Sequence, residues 1–294
     1  MIDNKIKGTT KVYGVIGNPI KHTFSPTIHN TLTEILGRDT IYIPIHVLDD
    51  DLQTAIKGAY ALNIQGLNVT VPHKINVMKM CYKIDKAAIV IGAINTLKYT
   101  EKGYIGYNTD FIGAYYAIKN AGYEIKDKTI LLLGAGGAAK ACGVMAADKG
   151  CKKLYIANRT AEKAKDLAKR IKENYDCDAE GISNADIDKL PHIDYVINAT
   201  TVGFGDKADL SPIENPNFFT EKGVELVFDV IYSPWETKLL KDAKEKGCNT
   251  INGFSMLIYQ AVASAEIWFD ESISTELQEN LCEELGKFYR ENNQ

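Results

Sequence analysis

The sequence predicts an α/β protein of two domains, and three observations carry that expectation. Strand-like apolar runs alternate with helical patterns along the chain, as in largely parallel sheets covered by helices. One stretch, Thr129 to Thr160, compresses the alternation into strand, glycine turn, helix and strand, the first unit of a dinucleotide-binding fold. A length of 294 residues gives each of two domains enough chain for its own core.

From the N-terminus, Val12 to Ile16 reads as a strand closed by the turn Gly17-Asn18-Pro19. Lys21-His22-Thr23-Phe24-Ser25-Pro26 then leads into a helical pattern through His29, Leu32 and Leu36. Ser25 before Pro26 suits a helix start, with a capping hydroxyl and then proline at the first helical position. Thr23 and Ser25 would also put two hydroxyls beside a helix N-terminus, a seat for a small carboxylate. Capping and binding both remain open for Ser25. Ile41 to Val47 reads as a second strand and Asp51 to Tyr60 as a helix.

In Gly66 to Lys74 the alternation sets Asn68 and Thr70 opposite Leu67, Val69 and Val71, and Pro72 ends the strand. Lys74 then emerges at the carboxyl end, where ligands of α/β sheets gather, although a lysine there is often only solvated surface. Gly92 to Leu97 reads as a buried strand whose Asn95 and Thr96 need partners from the protein or a ligand. Asp110 caps a helix from Phe111 to Gly122, and the second domain is expected to begin at Asp110.

The central stretch opens with the apolar run 130–133 and turns through Gly134, Ala135, Gly136, Gly137, Ala138 and Ala139. The first glycine permits the tight turn, the second lets backbone N–H groups approach a pyrophosphate, and Ala139 is small enough for helix and strand to pack. The anion would sit at the helix N-terminus. A turn rich in small residues also serves packing alone, so the end of the next strand matters more. NAD sites place a carboxylate about 20 residues on. Here Asn158 and Arg159 stand 24 and 25 positions after Gly134, followed by Thr160 and Lys163. Cations without a carboxylate suit a 2′-phosphate, hence NADP(H).

Farther on, Ala161 to Glu173 is an amphipathic helix, 194–200 and 226–232 are strands, Trp235 to Lys246 is helical, and Met256 to Phe269 is a long apolar helix. Thr275 to Arg290 forms a last charged helix.

Bulk composition narrows the classes. With 34 Lys plus Arg against 38 Asp plus Glu, the net charge of −4 gives no reason to expect nucleic acid as a partner. No stretch approaches 18 apolar residues, so no membrane partner is expected, and 1–5 lack the apolar core of a signal peptide. Six cysteines without CxxC spacing read as reduced structural thiols of a cytoplasmic protein. The histidines do not cluster as ligands, so no metal is expected. His22, His29 and His73 read as structural or solvent-facing.

Taken together, these motifs resemble the shikimate dehydrogenase family. They are Gly17-Asn18-Pro19, His22 to Pro26, Asn68 to Lys74, 92–96, Asn108-Thr109-Asp110, the glycine turn, Asn158-Arg159-Thr160, Asn198-Ala199-Thr200 and Gly253 to Gln260. The resemblance implies an N-terminal α/β substrate domain and an inserted Rossmann-type NADP-binding domain, with the C-terminal helices returning to the first. The boundaries would be 1–109 and 253–294 for the substrate domain and 110–252 for the cofactor domain. It implies reversible NADPH-dependent reduction of 3-dehydroshikimate to shikimate in aromatic amino-acid biosynthesis, by a cytoplasmic monomer or homodimer. Thr23 and Ser25 would hold the substrate carboxylate. Thr70, Lys74, Asn95, Asp110, Tyr232 and Gln260 would surround the ring, and Lys74 with Asp110 would be the catalytic pair. Thr200 and Gly253 would join the glycine turn and Asn158 to Lys163 around the cofactor. Two departures stand out: Thr23 replaces the usual serine, and Lys140 and Lys163 stand where the family often has arginine. A quinate/shikimate dehydrogenase using NAD is the alternative enzyme, and a non-catalytic sensor of shikimate-like ligands the alternative from another class.

Overall fold

The computed structural model describes residues 6–21 and 23–292, so His22 and the stretch 1–5 lie outside the described residues. The chain forms two compact units. One takes the chain up to Thr109 together with Gln260–Leu285, and the other takes Asp110–Tyr259 with the chain from Gly286 on. The sequence-based boundaries put all of 253–294 in the first. The structure instead divides two long helices, because each is packed by different neighbours at its two ends.

In the first unit the order is β1 (Lys11–Gly17), α1 (Ser25–Ile35), β2 (Thr40–His46), α2 (Leu52–Ala61), β3 (Gly66–Val69), β4 (Lys83–Ile84), α3 (Lys86–Ile91), β5 (Thr96–Lys98) and β6 (Ile105–Tyr107). The sheet runs β2-β1-β3-β5-β6-β4 and is mixed rather than largely parallel. Strands β1, β2 and β3 are parallel, but β5 is antiparallel to both β3 and β6. The cause is local: Thr100 and Gly103 exchange backbone hydrogen bonds of 3.1 and 3.0 Å, a tight turn that folds β6 back on β5. Alternation along β1 sends Ile16 into a core with Leu52, Ile56, Leu67 and Leu97, and Tyr13 and Val15 to the other face against Tyr42 and Trp268.

The second unit contains α4 (Asp110–Lys119), β7 (Thr129–Leu133), α5 (Gly137–Asp148), β8 (Lys153–Asn158), α6 (Ala161–Asn174), β9 (Ala179–Ser183), β10 (Tyr195–Asn198), α7 (Asn217–Lys222), β11 (Leu226–Asp229), α8 (Lys238–Glu245) and β12 (Asn249–Ile251). Then α9 (Phe254–Phe269) carries the chain back into the first unit and α10 (Thr275–Asn292) ends the described residues. The sheet order is β12-β11-β10-β7-β8-β9, with every neighbouring pair parallel. The chain winds outward from β7 to one side, then from β10 to the other. The crevice at this reversal is where doubly wound sheets bind ligands. Leu131 and Leu133 face a core with Val196, Phe218, Val227 and Leu239. Behind the sheet, Gly143 of α5 lets Leu132 and Ile171 close in, within 3.3 and 3.0 Å of where its Cβ would stand.

Candidate active site

The parallel strands of the second sheet end at a cleft of about 730 Å³, lined on one side by Leu133, Gly134, Ala135 and Gly136 and on the other by Ala199 to Val202. Gly134 has φ +109°, and a Cβ there would lie 2.9 Å from the Ala199 carbonyl oxygen. The first glycine is therefore demanded by the fold itself. Gly136 and Gly137 differ: nothing lies within 4 Å of their Cβ positions, and Gly136 caps α5 with no side-chain hydrogen bond. The free N–H groups of the first turn thus face open space, a fit for a pyrophosphate. Ala139 is fully buried beneath them.

The opposite wall is held by a buried polar network. Asn198 Oδ1 accepts from the Thr200 N–H (3.0 Å) and hydroxyl (2.8 Å), while its amide donates to Asp229 (3.0 Å). Asp229 also accepts from the Ile231 N–H (3.1 Å) and from Thr237 (2.7 Å), whose hydroxyl caps α8. Burial raises the Asp229 carboxyl to about 6 even though three donors favour its charged form. One carboxylate so fixes both the Thr200 loop and the segment leading to Tyr232. Gly253 donates to the Ile231 carbonyl (3.0 Å), and any Cβ there would collide with Val230, so the local backbone explains this glycine.

At the far end of the cleft stand Asn158 and Arg159. Asn158 donates to the Thr160 carbonyl (2.9 Å) and Arg159 is exposed, with no carboxylate lining that end. Burial, then the charges of Arg170 and Lys163, push the Lys140 ammonium down. Three cations that repel one another beside a cleft are relieved by an anion, which fits a nucleotide phosphate. Lys207, Ser211 and Lys238 also line the cleft; the sequence reading misses them because their loop has no periodic pattern to anchor it.

In the first unit, the ends of β1, β3 and β6 and the start of β5 meet at one sheet edge. Thr23 follows the turn after β1, and its hydroxyl accepts from the Ser25 N–H (3.3 Å). This corrects the capping expectation: Ser25 is the first helical residue of α1, Phe24 is the cap, and no side chain caps it. Thr70 follows β3 directly and binds Ile16 through its backbone (3.0 Å), and the Lys74 carbonyl accepts from Ile94 (2.8 Å). The stretch 92–95 is not a strand: Gly92 ends α3 in the left-handed region, and β5 begins only at Thr96.

That change leaves Asn95 at the edge, where it ties several elements together. Its Oδ1 accepts from the Thr109 N–H (2.7 Å), and its amide donates to Thr109 Oγ1 (3.0 Å) and Gln260 Oε1 (3.4 Å). Asp110, the next residue after Thr109, opens α4 as its first helical residue rather than capping it. Beneath lies a polar layer that the sequence does not announce. Ser264 meets Asn68 (3.0 Å), Thr96 (2.8 Å) and Thr109 (3.1 Å), and Tyr42 donates to Asn68 (2.7 Å). A lone serine one turn beyond Gln260 on an apolar helix is the signal that could have found it. Of the expected substrate residues, Thr23, Ser25, Thr70, Lys74, Asn95 and Gln260 belong to this unit; Asp110 and Tyr232 belong to the other.

Two histidines near these motifs are structural. His73 binds the Val47 carbonyl (2.8 Å), and buried His29 stacks on Tyr42 with centroids 4.2 Å apart. No group of metal-binding side chains occurs among the described residues, and no described helix is long and apolar enough to cross a membrane.

Comparison with known proteins matches residues 15–97 to the shikimate dehydrogenase substrate binding domain and 116–203 to the shikimate / quinate 5-dehydrogenase model. The chain belongs to the shikimate dehydrogenase family. A shikimate dehydrogenase (NADP(+)) of Methanocaldococcus jannaschii is 43% identical over 94% of this chain and 97% of that one. The crystal structure of shikimate 5-dehydrogenase from Listeria monocytogenes, in complex with shikimate and NAD, superposes with a TM-score of 0.89 at 33% identity, covering 95% of this chain and 99% of that one. The ligand-free 5-ketofructose reductase of Gluconobacter sp. strain CHM43 also matches, with a TM-score of 0.83 at 31% identity over 95% of this chain and all (100%) of that one.

Proposed function

We propose that the protein catalyses the reversible NADPH-dependent reduction of 3-dehydroshikimate to shikimate, a step of aromatic amino-acid biosynthesis. The observation that supports this most is the polar edge of the first sheet, where Thr70, Asn95 and Gln260 are held by buried hydrogen bonds rather than by chance of sequence. Thr23 and Ser25 hold the substrate carboxylate. Thr70, Asn95, Gln260 and Tyr232 recognise the ring hydroxyls. Lys74 and Asp110 form the catalytic pair: the ammonium donates a proton to the C3 oxygen and stabilises the developing alkoxide, and the carboxylate keeps it charged. The glycine turn with Thr200 and Gly253 holds the pyrophosphate end of the cofactor, and Asn158, Arg159, Thr160 and Lys163 hold its 2′-phosphate. When bound, the nicotinamide supplies or accepts the hydride.

The test is a spectrophotometric assay of the purified protein with shikimate and quinate, each against NADP+ and NAD+. Shikimate with NADP+ should give the highest kcat/KM. Lys74→Ala should cut kcat by at least about 100-fold with little change in KM. A loss carried by KM alone makes Lys74 a binding residue only. The second reading, quinate with NAD, draws on the added methyl of Thr23 and on the NAD in the Listeria complex. It wins if quinate with NAD+ is the faster pair. The acidic net charge and the six free cysteines support a cytoplasmic location, as a monomer or homodimer without nucleic-acid or membrane partners.

A further inference from the structure

Among the described residues, three buried side-chain polar atoms have no hydrogen-bond partner, and two of them, Asn120 Nδ2 and Ser255 Oγ, line one cleft. Buried polar groups are paired in nearly all folded proteins, so two orphans in one place call for an explanation. The cleft measures about 470 Å³, within the usual range of small-molecule sites. It shares no residue with the cofactor cleft.

Its chemistry is specific. The Asn120 amide requires an acceptor oxygen, and the Ser255 hydroxyl can give or take a hydrogen bond. Leu240 and Ile251 supply apolar wall. Both charge signs line the same cleft: Lys244 Nζ and Glu236 Oε1 stand 3.6 Å apart and both are well exposed. A simple anion would meet Glu236, and a simple cation would meet Lys244 and leave Asn120 unpaired. A zwitterion uses all four groups. We propose that this cleft binds a free α-amino acid with an apolar side chain. Its carboxylate takes Asn120, Ser255 and Lys244, its ammonium takes Glu236, and its side chain lies on Leu240 and Ile251. Asn120 directly follows α4, which opens at Asp110, and Ser255 lies on α9 five residues before Gln260. Occupancy therefore acts on the two helices that carry proposed catalytic and substrate residues, a regulatory consequence that rests on the functional reading above.

Calorimetric titration of the full-length protein with L-leucine and L-phenylalanine tests the site without any assay of turnover. Saturable binding is expected for at least one of them. The carboxylate-only analogue 3-phenylpropionate and the amine-only analogue phenethylamine should bind at least about tenfold more weakly than L-phenylalanine, each lacking one charged partner. Asn120→Ala should abolish binding while keeping the wild-type Tm, because it removes a group that contributes no hydrogen bond to the fold. The site is overturned if neither amino acid binds, if the analogues bind equally well, or if Asn120→Ala titrates like wild type. A Tm clearly lowered in Asn120→Ala also overturns it, since solvent then satisfies the amide. Binding should change the KM for shikimate; binding with unchanged kinetics overturns the regulatory half alone. A protein that binds leucine but oxidises no shikimate refutes the activity and not the site.

Discussion

At Gly134 the backbone adopts φ +109° with the Ala199 carbonyl against its α-carbon, whereas at Gly136 it adopts an ordinary φ of −78° with open space around it. The two glycines serve different masters, and alanine separates them. Gly134→Ala forces a strained conformation and a clash, costing about 1–3 kcal/mol, and should lower the unfolding midpoint in urea. Gly136→Ala should leave the midpoint unchanged and raise the KM for NADP+, because its methyl intrudes only on the ligand. Equal loss of stability in both variants would remove the distinction. Arg159 permits a comparable separation on the cofactor side. Arg159→Ala should raise the KM for NADP+ about tenfold or more, the worth of a charge-assisted hydrogen bond, and barely alter that for NAD+. If the two KM values rise together, the side chain is not reading the 2′-phosphate.

Elements show which signals survive translation from sequence to structure. The strands at the centre of the second sheet are legible because both faces are buried, which makes β7 and β10 nearly continuous apolar runs. The edge strands β9 and β12 pass unnoticed: AEGIS and NTI are short and polar, since one side of each is unpaired. The glycine turn, Lys74 and Asn95 could be picked out by local pattern. The support beneath Asn95 could not, because Ser264 reaches Asn68 and Thr96 across 196 and 168 positions of chain. Ser264→Ala strips a shared partner from three buried groups and leaves them no water to turn to. It should cost about 1–3 kcal/mol in the first unit and raise the KM for shikimate through Asn95 and Gln260. Wild-type stability and kinetics in this variant would show that the layer can re-pair without it.

Across the whole molecule the two units carry buried ionisable groups of opposite sign. In the first, burial pushes His29 down to about 3 despite Asn68 beside it, so it folds neutral. The unfolded chain takes up that proton below about 6.5, so stability is full above that pH and is lost as pH falls toward 3. In the second, Asp229 is raised to about 6. The native state then holds the extra proton between about 4 and 6, so stability is lost as pH rises through that window and regained as it falls. Each effect is of the order of 2 kcal/mol between pH 6 and 4, about one proton over two pH units. If the units melt as one, the two nearly cancel. If they melt separately, acidification lowers the transition of the His29 unit and raises that of the Asp229 unit. Other carboxyls titrate in the same range, Glu266 raised in the first unit and Asp194 lowered in the second, so the difference from a variant is the quantity to read. Calorimetric scans at pH 6 and 4 should show His29→Phe, which keeps an aromatic ring against Tyr42, gaining on wild type as pH falls. Asp229→Asn should lose ground to wild type over the same interval. Identical pH dependence in all three proteins would mean that neither group is buried in the form described, and the polar network behind Thr200 would need another anchor.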